Sequence, residues 1–338
     1  MASSRPEKGK SPPASSNTYL HLRTFPDAHV GIDWLEFRAV IRWSRQNAFD
    51  EIAAAQKRAF VRDGKSGSER IQIANHEVEV LARGDGTGNE SRCKYVLIWN
   101  GVRMVLDPRQ SKDRQLYNFR LTAKGMACTL IGFKAILQAR DAILRELGGT
   151  ITDSWIRRLD ICADFPGLCI SDELMPAVSQ ERYVSTTKRI NMYPEDQAKK
   201  TSFSIDTYLC RISVYDKLLQ LDNCIENPQF NEMKSALKER WRGYPNDVTR
   251  LEFRIRKDWF KEHSLNSVGE VLDRLGDICG KLANEGRRPL FRMTSSKPNT
   301  KTGKKQKTET LELWRSMMEV VGNAFGGEKN PLHRRRTK

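Results

Sequence analysis

The stretch Trp155-Ile-Arg-Arg-Leu-Asp-Ile-Cys-Ala-Asp-Phe-Pro166 reads as one β-strand. Side chains alternate across a strand. Leu159, Ile161 and Ala163 therefore face a core, while Arg158, Asp160, Cys162 and Asp164 face the other way. Two later stretches share this design. In Arg211-Ile-Ser-Val-Tyr-Asp-Lys217, the residues Arg211, Ser213, Tyr215 and Lys217 share a face, with Ile212, Val214 and Asp216 behind. In Arg250-Leu-Glu-Phe-Arg-Ile-Arg256, the residues Arg250, Glu252, Arg254 and Arg256 lie over Leu251, Phe253 and Ile255. Side by side, the three strands would join their polar faces into one plate of acids, arginines, a lysine and a tyrosine.

The flanking sequence supplies the rest of a sheet-and-helix fold. Phe133 to Leu147 carries Phe133, Ile136, Leu137, Ile143, Leu144 and Leu147 at helical spacing and ends at Gly148-Gly149. Before it, Val30 to Ile41 predicts a strand, Trp43 to Arg62 a helix and Ile71 to Ala82 a strand. Cys93 to Leu106 predicts a hairpin turning at Asn100-Gly101, and Phe119 to Ile131 a further strand region. After the acidic strand come a short helix capped by Ser171 and strands at Arg189 to Tyr193 and Thr201 to Asp206. The tyrosine strand, a helix over Asn231 to Trp241, the glutamate strand and helices over Leu265 to Glu285 and Leu311 to about Val321 complete the order.

This pattern predicts an α+β fold, a mostly antiparallel sheet core with helices packed on one face. Strand–helix–strands recurs near 30–131 and 155–256, the outline of a pseudo-duplicated core. Residues 1–18, rich in Ser, Pro and Lys, are expected to be disordered. Residues 19–290 are expected to form the main domain. A basic linker over 291–310 and a C-terminal helix with a basic tail over 311–338 follow.

Composition narrows the function. Among 338 residues, 58 are Lys or Arg and 42 Asp or Glu, a net charge of +16 that favours a polyanionic partner, nucleic acid before membrane. No apolar run approaches the roughly 20 residues that span a bilayer, and the N-terminus has no apolar signal core. A soluble, cytoplasmic protein is expected. The seven cysteines include no C-x-x-C pair, which argues for buried thiols and against zinc. Gly64-Lys65-Ser66 is no phosphate loop, because Ala59 stands where its first glycine belongs. The five histidines include no H-x-H pair.

The polar plate carries the candidate chemistry. Asp160, Asp164 and Glu252 could supply carboxylate oxygens to a hard cation such as Mg²⁺ or Mn²⁺, which would neutralise charge on a phosphodiester. Alternatively, these acids pair with Arg158, Arg250 and Arg254 on a solvated sheet face. Tyr215 is a candidate nucleophile, and its phenol, with an ordinary pKa near 10, needs a neighbouring cation such as Lys217. It could equally be an ordinary strand aromatic, with Tyr183, Tyr193, Tyr208 and Tyr244 as rivals. Arg158, Arg211, Arg250, Arg254 and Arg256 could grip phosphates.

In this order, R-x-D-x-x-x-D, R-x-x-x-Y-D-K and R-x-E-x-R, with Gly31-Ile-Asp-Trp-Leu35 in the first strand, the chain resembles the Rep_trans family of rolling-circle replication initiators of plasmids and filamentous phages. The resemblance spans roughly 30–260. It implies a sequence-specific, metal-dependent nickase whose tyrosine attacks the origin strand, stays on the 5′ phosphate and leaves a 3′ hydroxyl for polymerase. On this reading Asp160, Asp164 and Glu252 would hold the metal, Tyr215 would attack and Lys217 would activate it or hold phosphate. Origin DNA, a host helicase and polymerase, and a homodimer are the implied partners. The alternatives are a non-catalytic DNA-binding regulator built on the same sheet, and a metal-dependent nuclease that hydrolyses with water.

Overall fold

A computed structural model of the chain describes residues 25–45, 47–85, 94–109, 117–187, 190–194, 200–224, 228–243, 245–284, 290–299 and 307–333. The first tail, residues 300–306 of the expected basic linker and the Arg334 to Arg336 run lie outside these residues; the start of that linker, Phe291–Met293, is a strand rather than a linker. The strands are β1 (His29–Trp43), β2 (Ser68–Ile73), β3 (His76–Leu81), β4 (Tyr95–Trp99), β5 (Val102–Leu106), β6 (Phe119–Ala123), β7 (Gly149–Pro166), β8 (Tyr183–Ser185), β9 (Ile190–Pro194), β10 (Lys200–Asp206), β11 (Cys210–Asp216), β12 (Val248–Arg256) and β13 (Phe291–Met293). The helices are α1 (Asp50–Asp63), α2 (Gly125–Leu130), α3 (Phe133–Glu146), α4 (Ile170–Glu173), α5 (Met175–Ser179), α6 (Lys217–Asp222), α7 (Pro228–Arg240), α8 (Lys257–Glu262), α9 (Val268–Asp273), α10 (Leu275–Ala283) and α11 (Glu312–Gly322).

Eleven strands form one sheet in the order β2-β3-β4-β5-β6-β1-β7-β12-β11-β10-β9, all pairs antiparallel. The chain is therefore α+β, and the sheet displays the internal repeat. In each half a long strand opens (β1 or β7), the chain leaves through helix, and a meander returns until its last strand (β6 or β12) pairs with the opener. The two openers pair with each other at the centre. Gly149 lets that pair close: a Cβ there would stand 2.4 Å from the Trp43 ring, and Gly148, at φ +70, turns the chain out of α3.

The apolar faces predicted for the acidic, tyrosine and glutamate strands are in the main core. Leu159, Ile161, Ala163, Ile212, Val214, Leu251, Phe253 and Ile255 are all buried there. Helices α1, α3, α10 and α11 pack on the same core through Ile52, Ile143, Ile278 and Met317. A smaller apolar cluster sits at one end of the opposite face, where Leu221, Phe230, Leu237 and Trp241 of the α6–α7 region meet Val248 and Met126.

Several boundaries differ from expectation. Ile71 to Ala82 is a hairpin edge rather than one strand, because Ala74 and Asn75 take positive φ (50° and 64°) in a tight turn written without glycine. Asn100-Gly101 makes the expected hairpin turn with φ of 46° and 77°. Phe119 to Ile131 is strand only to Ala123. The continuation is α2, whose Ala127 and Cys128 bury on the main core while Met126 and Leu130 face the smaller cluster. Apolar residues on two sides erase the helical period. The helix expected from Trp43 begins at Asp50, since Trp43 is still in β1 and donates its indole N–H to the Asp107 carbonyl. Ser171 lies inside α4, whose N-cap is Cys169 without a side-chain bond. The helix expected over Leu265 to Glu285 is two, breaking at Arg274, and α9 starts on a capping box of Ser267 and Glu270.

Candidate active site

Three strands far apart in sequence become neighbours in the order β7-β12-β11, and their registers align the polar faces. Asp160 stands opposite Arg254, Cys162 opposite Glu252 and Asp164 opposite Arg250. Arg250 stands opposite Tyr215, Glu252 opposite Ser213 and Arg254 opposite Arg211. The plate continues onto β10 through Ser202, Ser204 and Asp206.

One member was not assigned from sequence. Asp33 lies in a β-bulge, between Ile32 opposite Ile161 and Trp34 opposite Asp160. The extra residue lets the strand carry both Asp33 and Trp34 to the polar side. Asp33 accepts a bond from Arg250 Nη1 at 2.8 Å. Its signal in sequence was an acid within the apolar Gly31-Ile-Asp-Trp-Leu35 run, but alternation alone would send it into the core.

The plate sorts into two layers. The deep layer is ionic and closed. Arg250, 1% exposed, donates Nε to Asp164 Oδ1 at 2.5 Å and Nη2 to Oδ2 at 2.8 Å. Trp241 Nε1 donates to the same Oδ2 at 3.2 Å. Burial alone would push the Asp164 carboxyl up. The Arg250 charge and hydrogen bonds, with help from Lys217 and Trp241, outweigh it and hold the group below its ordinary value. Asp160, also 1% exposed, accepts Arg158 Nε at 2.8 Å and a further bond from Arg158 Nη2, with Arg254 Nε at 3.4 Å. Arg158 also lies 3.9 Å over the Trp34 ring. Between the two aspartates, burial pushes the Cys162 thiol up, so it is no nucleophile.

The second layer opens into a pocket of about 370 Å³ lined by Tyr215, Glu252, Arg254, Arg211, Ser204 and Ser213, among others. The Tyr215 hydroxyl donates to Glu252 Oε2 at 3.1 Å. Burial, then the charges of Glu252 and Asp33, raise the phenol well above its ordinary value, against the pull of Arg250. Burial also raises the Glu252 carboxyl, and the nearby charges of Asp33 and Asp160 push it the same way, against Arg250 and Arg254. Lys217 is not the last residue of the strand but the first of α6, a helix capped by Asp216, which accepts from the Leu219 N–H at 3.0 Å. Its side chain still turns back to the plate, with Nζ 6.0 Å from the Tyr215 ring centre and 2.7 Å from Gln220 Oε1. Burial and the repulsion of Arg250 lower its pKa to about 8.

The three acids expected to share a metal are separated by these ion pairs. Asp164 is closed off by Arg250 and Trp241, Asp160 is taken by Arg158, and Glu252 faces the phenol. Among the described residues no three His, Cys, Asp or Glu side chains are grouped to hold a metal ion. As folded, that donor set does not fit Mg²⁺ or Mn²⁺. Of the rival tyrosines, Tyr208 is 65% exposed and donates to Glu262 at 2.6 Å, away from the plate. Tyr183 lies in the two-stranded β8–β13 ribbon, and Tyr244 is outside the described residues. Among the described residues no helix is long and apolar enough to cross a membrane.

No family model and no curated protein matches the chain. Among solved structures it is similar to one described as the rolling circle replication initiator protein from Geobacillus stearothermophilus. The TM-score is 0.50 at 13% identity, over 90% of this chain and 100% of that one. At that identity the likeness speaks to the fold.

Proposed function

We propose that the chain is a rolling-circle replication initiator that nicks one strand of its origin, with Tyr215 as nucleophile. The observation that carries this reading is the hydrogen bond from Tyr215 to Glu252 inside an open pocket walled by Arg211 and Arg254. The sheet shared with a named initiator structure supports it.

On this reading Glu252 acts as general base. Its raised pKa makes it a better proton acceptor than an ordinary carboxylate while it sits at hydrogen-bond reach of the phenol. As the tyrosyl oxygen attacks phosphorus, its proton passes to Glu252. A phosphotyrosyl bond forms, the P–O3′ bond breaks, and the 3′ oxygen leaves to pick up a proton. Arg250, opposite Tyr215 in the register, sets positive charge near the phenol oxygen, and Lys217 adds a cation 6.0 Å from the ring centre. The free 3′ hydroxyl would serve a host polymerase, with a host helicase opening the duplex ahead and a homodimer as the acting form.

Incubation with supercoiled plasmid carrying the replicon's origin, with Mg²⁺ or Mn²⁺ present, tests the reading. Nicked circles with protein covalently attached are expected, and Tyr215→Phe should lose the adduct while retaining binding. The saturation of Asp160 and Asp164 by arginines favours one second reading, a DNA-binding regulator on the same sheet. It would shift the plasmid band without cutting it.

A further inference from the structure

The plate's arginines are not equivalent. Arg158 is bound to Asp160, Arg250 to Asp164 and Asp33, and Arg256 Nη2 to Asp206 at 2.7 Å. Arg254 keeps only long contacts, 3.4 Å to Asp160 and 3.6 Å to Glu252, and is 32% exposed. Arg211 differs from all of these. Its cross-strand neighbour Asp206 has turned to Arg256, and its opposite neighbour is another arginine, Arg254. The guanidinium donates from Nη2 to Ser204 Oγ at 3.2 Å, and its Nε is buried without a partner. A buried guanidinium N–H lacking an acceptor is costly. Here it sits in the wall of the pocket that holds Tyr215, beside a second, weakly engaged guanidinium and the Ser204 and Ser213 hydroxyls.

We infer that Arg211, with Ser204 and Arg254, forms a phosphate subsite that grips a nucleotide flanking the scissile one. This rests on the nicking reading for its substrate, a single DNA strand. Arg211 and Tyr215 are four residues apart on one strand, about 13 Å along the backbone at roughly 3.3 Å per residue. That separation lets one pocket take two phosphates, one under attack and one held. A guanidinium in a fixed fork, positioned by a serine hydroxyl, matches the oxygens of a phosphodiester. The contact sets position and carries no base information. Arg211 is thus a positioning residue.

The test is a salt titration of binding to a fluorescent thymidine homopolymer, with Tyr215→Phe as the background so that no cleavage intervenes. The slope of log K against log salt should be shallower by about 0.7 in Arg211→Gln, the value for one phosphate contact on a single strand. Arg211→Lys should keep the slope and bind more weakly, since it keeps the charge and loses the fork. Arg70→Gln, whose parent lies on β2 at the far edge of the sheet and is paired with Glu77, should leave the slope unchanged. Ser204→Ala, which removes no charge, should weaken affinity severalfold with the fold intact by circular dichroism. An unchanged slope in Arg211→Gln, or an equal drop in Arg70→Gln, overturns the subsite. The nicking assay is read separately. Wild-type nicking with an unchanged Arg211→Gln slope rejects the subsite alone. Absent nicking with the expected slope change rejects the nickase and keeps a phosphate site.

Discussion

Asp164 is the residue on which a structural and a metal-binding role make opposite predictions, and Asp164→Ala separates them. The substitution removes two guanidinium bonds, at 2.5 and 2.8 Å, and the Trp241 bond at 3.2 Å, leaving Arg250 buried with Asp33 alone. Deleting one member of a buried ion pair costs roughly 3–5 kcal/mol. The surviving Asp33 contact draws the expected loss toward the lower end, about 3 kcal/mol. Urea denaturation followed by tryptophan fluorescence should report it as a lower midpoint at unchanged slope. The pH dependence supplies a sign. Because the folded carboxyl lies below its unfolded value, its contribution is complete above about pH 4 and fades as pH falls through the folded value. The gap between wild type and variant should therefore narrow in acid. A variant as stable as wild type, or a gap that widens in acid, would show that the Asp164–Arg250 pair does not hold the fold and would return Asp164 to the pool of metal ligands.

Other outcomes follow from the same plate. Lys217→Met should stabilise the fold at pH 7 by on the order of 3 kcal/mol, since a fall from 10.5 to about 8 is roughly 2.5 pH units at about 1.36 kcal/mol each. Wild-type stability should rise between about pH 8 and 10.5, where the unfolded chain binds the extra proton, and the variant should lack this rise. Adduct yield should fall in the same variant, because the cation 6.0 Å from the Tyr215 ring centre is gone. Glu252→Gln should slow adduct formation about 10²- to 10⁴-fold while leaving DNA binding intact, as measured by single-turnover nicking and band shift. In wild type the acid limb of the rate profile should lie above the ordinary carboxylate range, because burial and the Asp33 and Asp160 charges raise Glu252. That limb should vanish in Glu252→Gln.

Much of the sheet was readable because strands carry a two-residue period that survives any tertiary context. Leu251, Phe253 and Ile255 under Arg250, Glu252 and Arg254 needed no neighbour to declare their faces. The adjacency of β7, β12 and β11 was only a condition at the level of sequence; long-range pairing sets it, with buried Arg250 opposite Asp164. What alternation could not reach is whatever breaks it. Asp33 joins the plate only through a bulge, and no local signal marks a bulge within an apolar run. Lys217 keeps its face although it has left the strand, because the Asp216 cap starts a helix that turns its side chain back. Which arginines remain free to meet a phosphate depends on long-range pairing, as when Asp206 chooses Arg256 over Arg211. The turn at Ala74-Asn75 and the break at Arg274 are equally invisible to composition.

Mass spectrometry of the covalent product shows which side chain attacks the DNA. Protein incubated with supercoiled origin plasmid would be digested with nuclease and then trypsin, which cuts after Arg211 and Lys217. A nucleotide is expected on the hexapeptide Ile212–Lys217, linked through Tyr215 as a 5′-phosphotyrosine. A nucleotide on a peptide bearing Tyr183, Tyr193, Tyr208 or Tyr244, or nicked circles carrying no protein, would contradict it.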